Sequence, residues 1–352
     1  MAKHASRATR HTKSINLALQ GGGAHGAFTW GVLDKLFEED RIWVEALSGT
    51  SAGAMNAVVA AQGMYDNGAK GAQAALHDYW QAVAESAKLS PIGRTPLDRM
   101  MGTWSLDNSP GYIWADMLTR FASPYDLNPL KVDPLRAVVE DFVDFEKVRD
   151  CTDMHIFISA TNVETGRVRV FRRDEISVDV VMASACLPTM FHAVEIDGVP
   201  YWDGGYMGNP ILVPFIDESP CADIVIIQIN PIERPGTPTS AREIQNRANE
   251  ITFNSSLLKE LRMIDLVDRL LDDKKVSDED FRKMHIHLIE SQDELNPLTA
   301  SSKLNAEWEF LIHLRDVGRA AAAEWLDRHF DDIGETSSLN LREMFGDVPG
   351  KY

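Results

Sequence analysis

The chain has 352 residues, 53 of them acidic and 35 basic, for a net charge of −18, and 44% of it is apolar. That balance suits a globular enzyme with a sizeable core, and it argues against nucleic acid as a partner and against stable residence on anionic membranes. It does not exclude brief contact with a lipid surface.

The basic stretch from Lys3 to Lys13 is too polar for a signal peptide and reads as a disordered tail over 1–13. Ile15 to Leu19 reads as a short buried strand. It runs into Gln20-Gly21-Gly22-Gly23-Ala24-His25-Gly26 and then into an amphipathic helix from Ala27 to about Glu39. Trp43 to Leu47 forms a second strand, and Ala52 to about Gln62 continues as a small-residue helix. Together they make one βαβα unit.

Between that strand and helix lies Gly49-Thr50-Ser51-Ala52-Gly53, a G-x-S-x-G pattern. Small residues on both sides let the chain reverse tightly and expose the Ser51 hydroxyl at the top of an elbow. The triple glycine leaves backbone N–H groups unobstructed at a helix N-terminus, where an anion is favoured. In a hydrolase, Gly22 and Gly23 would join the amide of Ala52 to hold an oxyanion. The rival is a dinucleotide fingerprint, Gly21-x-Gly23-x-x-Gly26. It requires an acidic residue about twenty positions later at a strand end, where this chain has Ser48-Gly49, with Glu45 inside the strand.

A serine needs a base. A Ser-Asp-His order would use His285, His287 or His313, but in that fold the oxyanion loop and the elbow lie well apart in sequence, and here one helix separates them. The other candidate is Asp203 in Tyr201-Trp202-Asp203-Gly204-Gly205-Tyr206, a carboxylate at a strand end followed by two glycines that permit a sharp turn and close access to a neighbouring loop. Taken alone, Asp-Gly-Gly is more often a plain turn.

The segment from Pro91 to Pro129 is rich in Pro, Gly, Met and aromatics without clean periodicity. The expectation is a lid over 90–130, with a packed helical insertion as the alternative. Trp30, Met182, Leu187, Met190 and Phe191 are candidates for lining an apolar pocket or for plain core. After Pro231 to Pro238, a long helix is expected from Ala241 to Asp273, then a helix cap at Ser277 with Asp280. A last strand follows over Met284 to Glu290, and a final helix over Ala306 to His329, where Ala320 to Ala323 would allow close approach. His285 and His287 alternate along that strand without a nearby third ligand, so no metal is expected. One domain over 14–352 is expected, with 241–352 as a C-terminal helical extension carrying one more strand. No apolar run reaches the eighteen or so residues of a bilayer span. Cys151, Cys186 and Cys221 are odd in number and widely spaced, which fits a reducing compartment. Cytoplasm is the expected location, with export lacking a cleavable signal as the alternative.

Gly21-Gly22-Gly23-Ala24-His25-Gly26, Gly49-Thr50-Ser51-Ala52-Gly53 and Asp203-Gly204-Gly205, in that order, resemble the three signature blocks of the patatin-like phospholipase family. Ala160 to Gly166 and Ala183 to Pro188 also resemble bacterial members, and the similarity spans Ser14 to Asn230. Ser301-Ser302-Lys303-Leu304-Asn305 is similar to such proteins too, without naming a chemistry. The resemblance implies an α/β fold, a three-layer α/β/α sandwich with a mainly parallel central sheet. It implies a serine acyl hydrolase of the phospholipase A or lysophospholipase type, using a Ser51–Asp203 dyad without histidine and no cofactor. Alternatives are an esterase or thioesterase acting on other acyl substrates or polyesters, and a binding module that kept the fold. Many relatives carry Arg or Lys where this chain has His25. That departure leaves the backbone donors untouched, and His25 is read as structural.

Overall fold

The computed structural model describes residues 12–88, 90–277 and 281–346. Most of the basic tail and Asp280 of the expected helix cap lie outside them. Among the described residues, eight strands form one sheet: β1 (Lys13–Leu19), β2 (Ile42–Gly49), β3 (His155–Asn162), β4 (Val168–Arg172), β5 (Val194–Ile196), β6 (Val199–Asp203), β7 (Asp223–Ile227) and β8 (His285–Ile289). β3, β2, β1, β7 and β8 lie side by side in parallel. β4 and β6 run antiparallel to β3, and β5 antiparallel to β6.

The central strands are apolar on both faces because helices cover both. The main helices are α1 (Gly26–Leu36), α2 (Ala52–Ala87), α3 (Val178–Ser184), α4 (Ala241–Asp272) and α5 (Trp308–His329). Ile15, Leu17 and Leu19 of β1 and Val225 and Ile227 of β7 point into a core shared with α1, α2, α3 and α5. The alternate residues Ala18, Ile224 and Ile226 point into a second core with Leu257, Leu261 and Ile264 of α4. The protein is therefore a three-layer α/β/α sandwich on a mostly parallel sheet.

α1 and α5 pack nearly backbone to backbone. A Cβ on Gly318 would collide with the carbonyl oxygen of Phe28, and one on Gly31 with that of Arg315. The close approach falls at this glycine pair, with Ala322 buried one turn further on.

Two stretches differ from the sequence expectation. α2 continues past Gln62 to Ala87, crossing a break at Asn67 and Gly68 where Gly68 takes φ +61°. The segment from Pro91 to Pro129 is not irregular throughout. It holds short helices at Pro96–Met100, Pro110–Thr119 and Pro124–Leu127, each preceded by Thr95, Ser109 or Ser123 at the N-cap. Proline at the first helical position loses no needed N–H and presets φ, so Thr-Pro and Ser-Pro start these helices without amphipathic periodicity.

Candidate active site

Strand register brings Ser51 and Asp203 together. β4 takes one edge of β3, and β2 and β6 follow one another along the other edge. Ser48 and Gly49 pair with Phe157 and Ile158, and Asp203 pairs with Ala160 two residues further along. Ser51 lies two residues beyond Gly49, so it leaves the end of β2 where the end of β6 arrives. Side chains on β3 and at the elbow pin the junction. Thr161 Oγ1 donates to the Asp203 carbonyl at 2.8 Å, Thr50 Oγ1 donates to the Gly208 carbonyl at 2.6 Å, and Ser159 Oγ reaches the same carbonyl at 2.9 Å.

Ser51 adopts φ 54°, ψ −120°. A non-glycine residue pays roughly 1–3 kcal/mol for such a conformation, which the surroundings must enforce. Here a Cβ on Gly49 would stand 2.5 Å from the Gly53 carbonyl oxygen, and one on Gly21 would stand 2.8 Å from Ser51 Cβ. The elbow therefore closes only with glycine at these places. The Ser51 N–H donates to Ser184 Oγ at 2.9 Å.

Asp203 is 1% exposed, and its Oδ1 accepts the Gly205 N–H at 2.7 Å. Burial pushes its pKa up to about 7, against the opposing pull of the Gly205 amide, the Ser51 hydroxyl and the charge of Lys303. A carboxyl group at that value is poised to exchange a proton near neutrality.

The glycine loop is held from outside. The Gly21 N–H donates to Asn209 Oδ1 at 2.7 Å, and the Gly21 carbonyl accepts from Asn230 Nδ2 at 2.8 Å. Gln20 Oε1 accepts the Ile229 and Asn230 N–H groups at 2.8 and 2.9 Å. With those contacts made, the N–H groups of Gly22, Gly23 and Ala52 have no acceptor among the described residues. His25 is buried, with Nε2 2.8 Å from Ser302 Oγ. Burial, helped by the Lys303 charge, lowers its pKa well below the usual imidazole value, so the loop itself carries no cation at neutral pH. Gly26 opens α1, and Gly204 lies so close to β3 that a Cβ there would meet the Ser159 carbonyl.

The remaining candidates divide. Met190 and Phe191 are half-buried, and their N–H groups bond the Leu187 carbonyl in the loop whose Cys186 carbonyl accepts the Asp203 N–H at 2.8 Å. Trp30, suggested for an acyl pocket, is instead 1% exposed in the core, stacked 6.0 Å from Trp308 and edge-on to His77. It packs between Trp308 of α5 and His77 of α2. His285 and His287 both face Asp223, at 3.3 and 3.1 Å, at the start of β7, and His313 stacks on Trp104. None of the three joins Ser51. Sequence reasoning missed Ser184, Asn209, Asn230 and Lys303. Of these, Ser184 and Lys303 lay inside segments noticed for their resemblance, and Asn209 and Asn230 left no local signal.

The patatin-like phospholipase family model matches residues 17–216. That is more than half of the chain, and the chain belongs to this family, whose membership implies a lipid acyl hydrolase. Among solved structures, VipD from Legionella pneumophila is similar over 87% of this chain and 67% of that one, at 16% identity and a TM-score of 0.35. No curated protein matches the sequence.

Proposed function

We propose that the protein hydrolyses lipid esters, with Ser51 as nucleophile and Asp203 as the base. Ser51 Oγ attacks the ester carbonyl carbon while its proton passes to the Asp203 carboxylate. The carbonyl oxygen becomes an oxyanion held by the Gly22, Gly23 and Ala52 amides. Collapse of this intermediate expels the alcohol, which takes the proton from Asp203. Water then attacks the acyl-serine, giving one proton to Asp203 and on to Ser51, and the fatty acid leaves. The observation that carries this reading is the meeting of elbow and carboxylate along one edge of β3, with the three N–H groups of Gly22, Gly23 and Ala52 finding no acceptor among the described residues.

Phospholipids and lysophospholipids are the proposed substrates, met at a lipid surface. Eleven of the nineteen exposed large apolar side chains among the described residues lie between 97 and 132, including Met100, Phe121 and Leu130. Four basic and four acidic residues balance over 90–132 in a chain of net charge −18. A neutral, apolar rim suits zwitterionic lipid better than an anionic surface. The segment is tied on one side by Ser301 Oγ accepting the Leu106 N–H at 3.0 Å, and on the other by Tyr125 packed on His192 at 4.2 Å. It thus bridges the neighbourhoods of the glycine loop and of Asp203, as a lid would. No helix among the described residues is long and apolar enough to cross a membrane, and all three cysteines are unpaired and buried. The unpaired thiols suit the reducing cytoplasm, the location proposed for the enzyme.

A fluorophosphonate probe tests the assignment. The adduct is expected on Ser51 by peptide mass analysis, absent in Ser51→Ala and strongly slowed in Asp203→Asn, with fatty acid release from phosphatidylcholine lost in both. Labelling that survives Ser51→Ala would overturn the nucleophile. Labelling with ester but no phospholipid turnover would move the substrate to soluble acyl esters or thioesters.

A further inference from the structure

Residues 300–304 form a short 3-10 turn far beyond the stretch matched by the family model, yet they lie directly on the glycine loop. The Cβ that Gly23 lacks would run into the Lys303 carbonyl, and Ser302 Oγ meets His25 Nε2 at 2.8 Å. Lys303 Nζ donates to Asn230 Oδ1 at 2.6 Å, its one hydrogen bond among the described residues. Asn230 is the residue that also holds the Gly21 carbonyl. The ammonium group therefore rests on the platform that shapes the loop, and it makes no close ion pair among the described residues. Four charged or titratable groups act with it across the site: Asp203, Glu250, Arg234 and His25. Asp203 in turn faces Tyr206 and Cys186 besides Lys303 and Ser51.

We propose that Lys303 is an electrostatic positioning residue of the active site, supplying the positive charge that the glycine loop lacks and favouring the carboxylate form of Asp203 against the cost of its burial. The chemistry follows from charge balance. A carboxylate shut away from water is costly, and burial of Lys303 likewise disfavours its ammonium form. Each offsets part of the other's cost across the site without touching, so Asp203 stays available as a proton acceptor and its basicity is not quenched by a direct salt bridge. The inference rests on the Ser51–Asp203 reading for its catalytic meaning. The coupling between Lys303 and Asp203 stands or falls separately.

Three variants separate charge from structure. Lys303→Gln keeps a donor for Asn230 without charge, Lys303→Met removes both, and Lys303→Arg keeps the charge. The first readout is the pH profile of kcat/KM on a soluble p-nitrophenyl butyrate substrate. In Lys303→Gln and Lys303→Met the acid limb is expected to move up by about one pH unit, the scale of one nearby charge in a partly buried site. At pH 7 that means a loss of about five-fold, closing above about pH 8.5, with Lys303→Arg close to the parent. The second readout needs no turnover. The pH at which Asp203→Asn parts from its parent in thermal midpoint reports where Asp203 titrates, and that pH is expected to rise by the same amount in a Lys303→Gln background. An unmoved acid limb together with an unmoved midpoint overturns the proposal, as does a Lys303→Arg profile shifted like that of Lys303→Gln. Failure of the dyad reading has a different signature, wild-type protein that the fluorophosphonate leaves unlabelled at Ser51.

Discussion

Asp203→Asn should make the protein more stable while removing its activity, and the gain should depend on pH. The unfolded carboxyl titrates near 3.8 and the folded one near 7, so between those values the native state binds the extra proton. Stability from this group is therefore full below about pH 4, falls as pH rises towards 7, and is flat above. A shift of about three units at ~1.4 kcal/mol per unit sets an upper bound of about 4 kcal/mol lost by pH 8. Asparagine escapes that loss, and its side-chain oxygen still accepts the Gly205 N–H that Asp203 Oδ1 accepts at 2.7 Å. Because the amide pays something for its own burial, the expected net gain at pH 8 is about 2–4 kcal/mol. With unfolding entropy of about 2.1 cal/mol/K per residue, this raises the thermal midpoint by roughly 3–5 °C. Near pH 4 the two proteins should melt together. Glu260, pushed up to about 7 by burial where it accepts the Leu212 and Val213 N–H groups, adds a slope of the same sign to both proteins, so the difference between them isolates Asp203. Differential scanning calorimetry between pH 4 and 8 makes the measurement. A gap of constant size across that range, or a variant less stable at pH 8, would refute the reasoning.

Gly318→Ala should cost about 1–3 kcal/mol, because its methyl group would be driven into the Phe28 carbonyl and must prise α5 from α1. Urea unfolding should show a lower midpoint at an unchanged slope, and wild-type stability would contradict the close packing. Replacing Met100 and Phe121, 80% and 85% exposed, with glutamate together should weaken sedimentation with phosphatidylcholine vesicles at least ten-fold while leaving p-nitrophenyl butyrate turnover within two-fold. Equal loss of both activities would instead give the segment a structural part in the site.

The parts of this architecture that could be read in advance are those whose signal is local. β1, β2 and the elbow are short apolar runs broken by glycine, and α4, β8 and α5 showed periodicity or alternation long enough to place within a few residues. α2 was cut short at Gln62 because its later turns, from Asn67 through Gly68 and Gly71, carry residues that usually end helices. The break occurs there, but the chain resumes its helical course. The three helices between 96 and 127 depend on caps and proline rather than on an apolar stripe, so they looked irregular. Trp30 was suggested for the acyl pocket because it follows the glycine loop by only a few residues, whereas its place on α1 turns it towards Trp308. Ser51 stood out because glycines must flank it, whereas Asp-Gly-Gly alone reads as a turn and Asp203 stood out only through the resemblance to the third signature block of the family. Lys303 was not legible, because what matters about it is a contact with Asn230 and with a loop 280 residues earlier in the chain, and no local pattern encodes that.

The shared edge of β3 has one more consequence. Since hydroxyl and acid are aligned by two ladders built on a common strand, the spacing between them is indifferent to how much chain loops out between residues 50 and 200. Insertions there can change what is bound while the reacting atoms keep their places. A slip of β6 by a single residue against β3, by contrast, would turn Asp203 to the opposite face of the sheet and leave an otherwise intact fold without the proton acceptor proposed for Ser51.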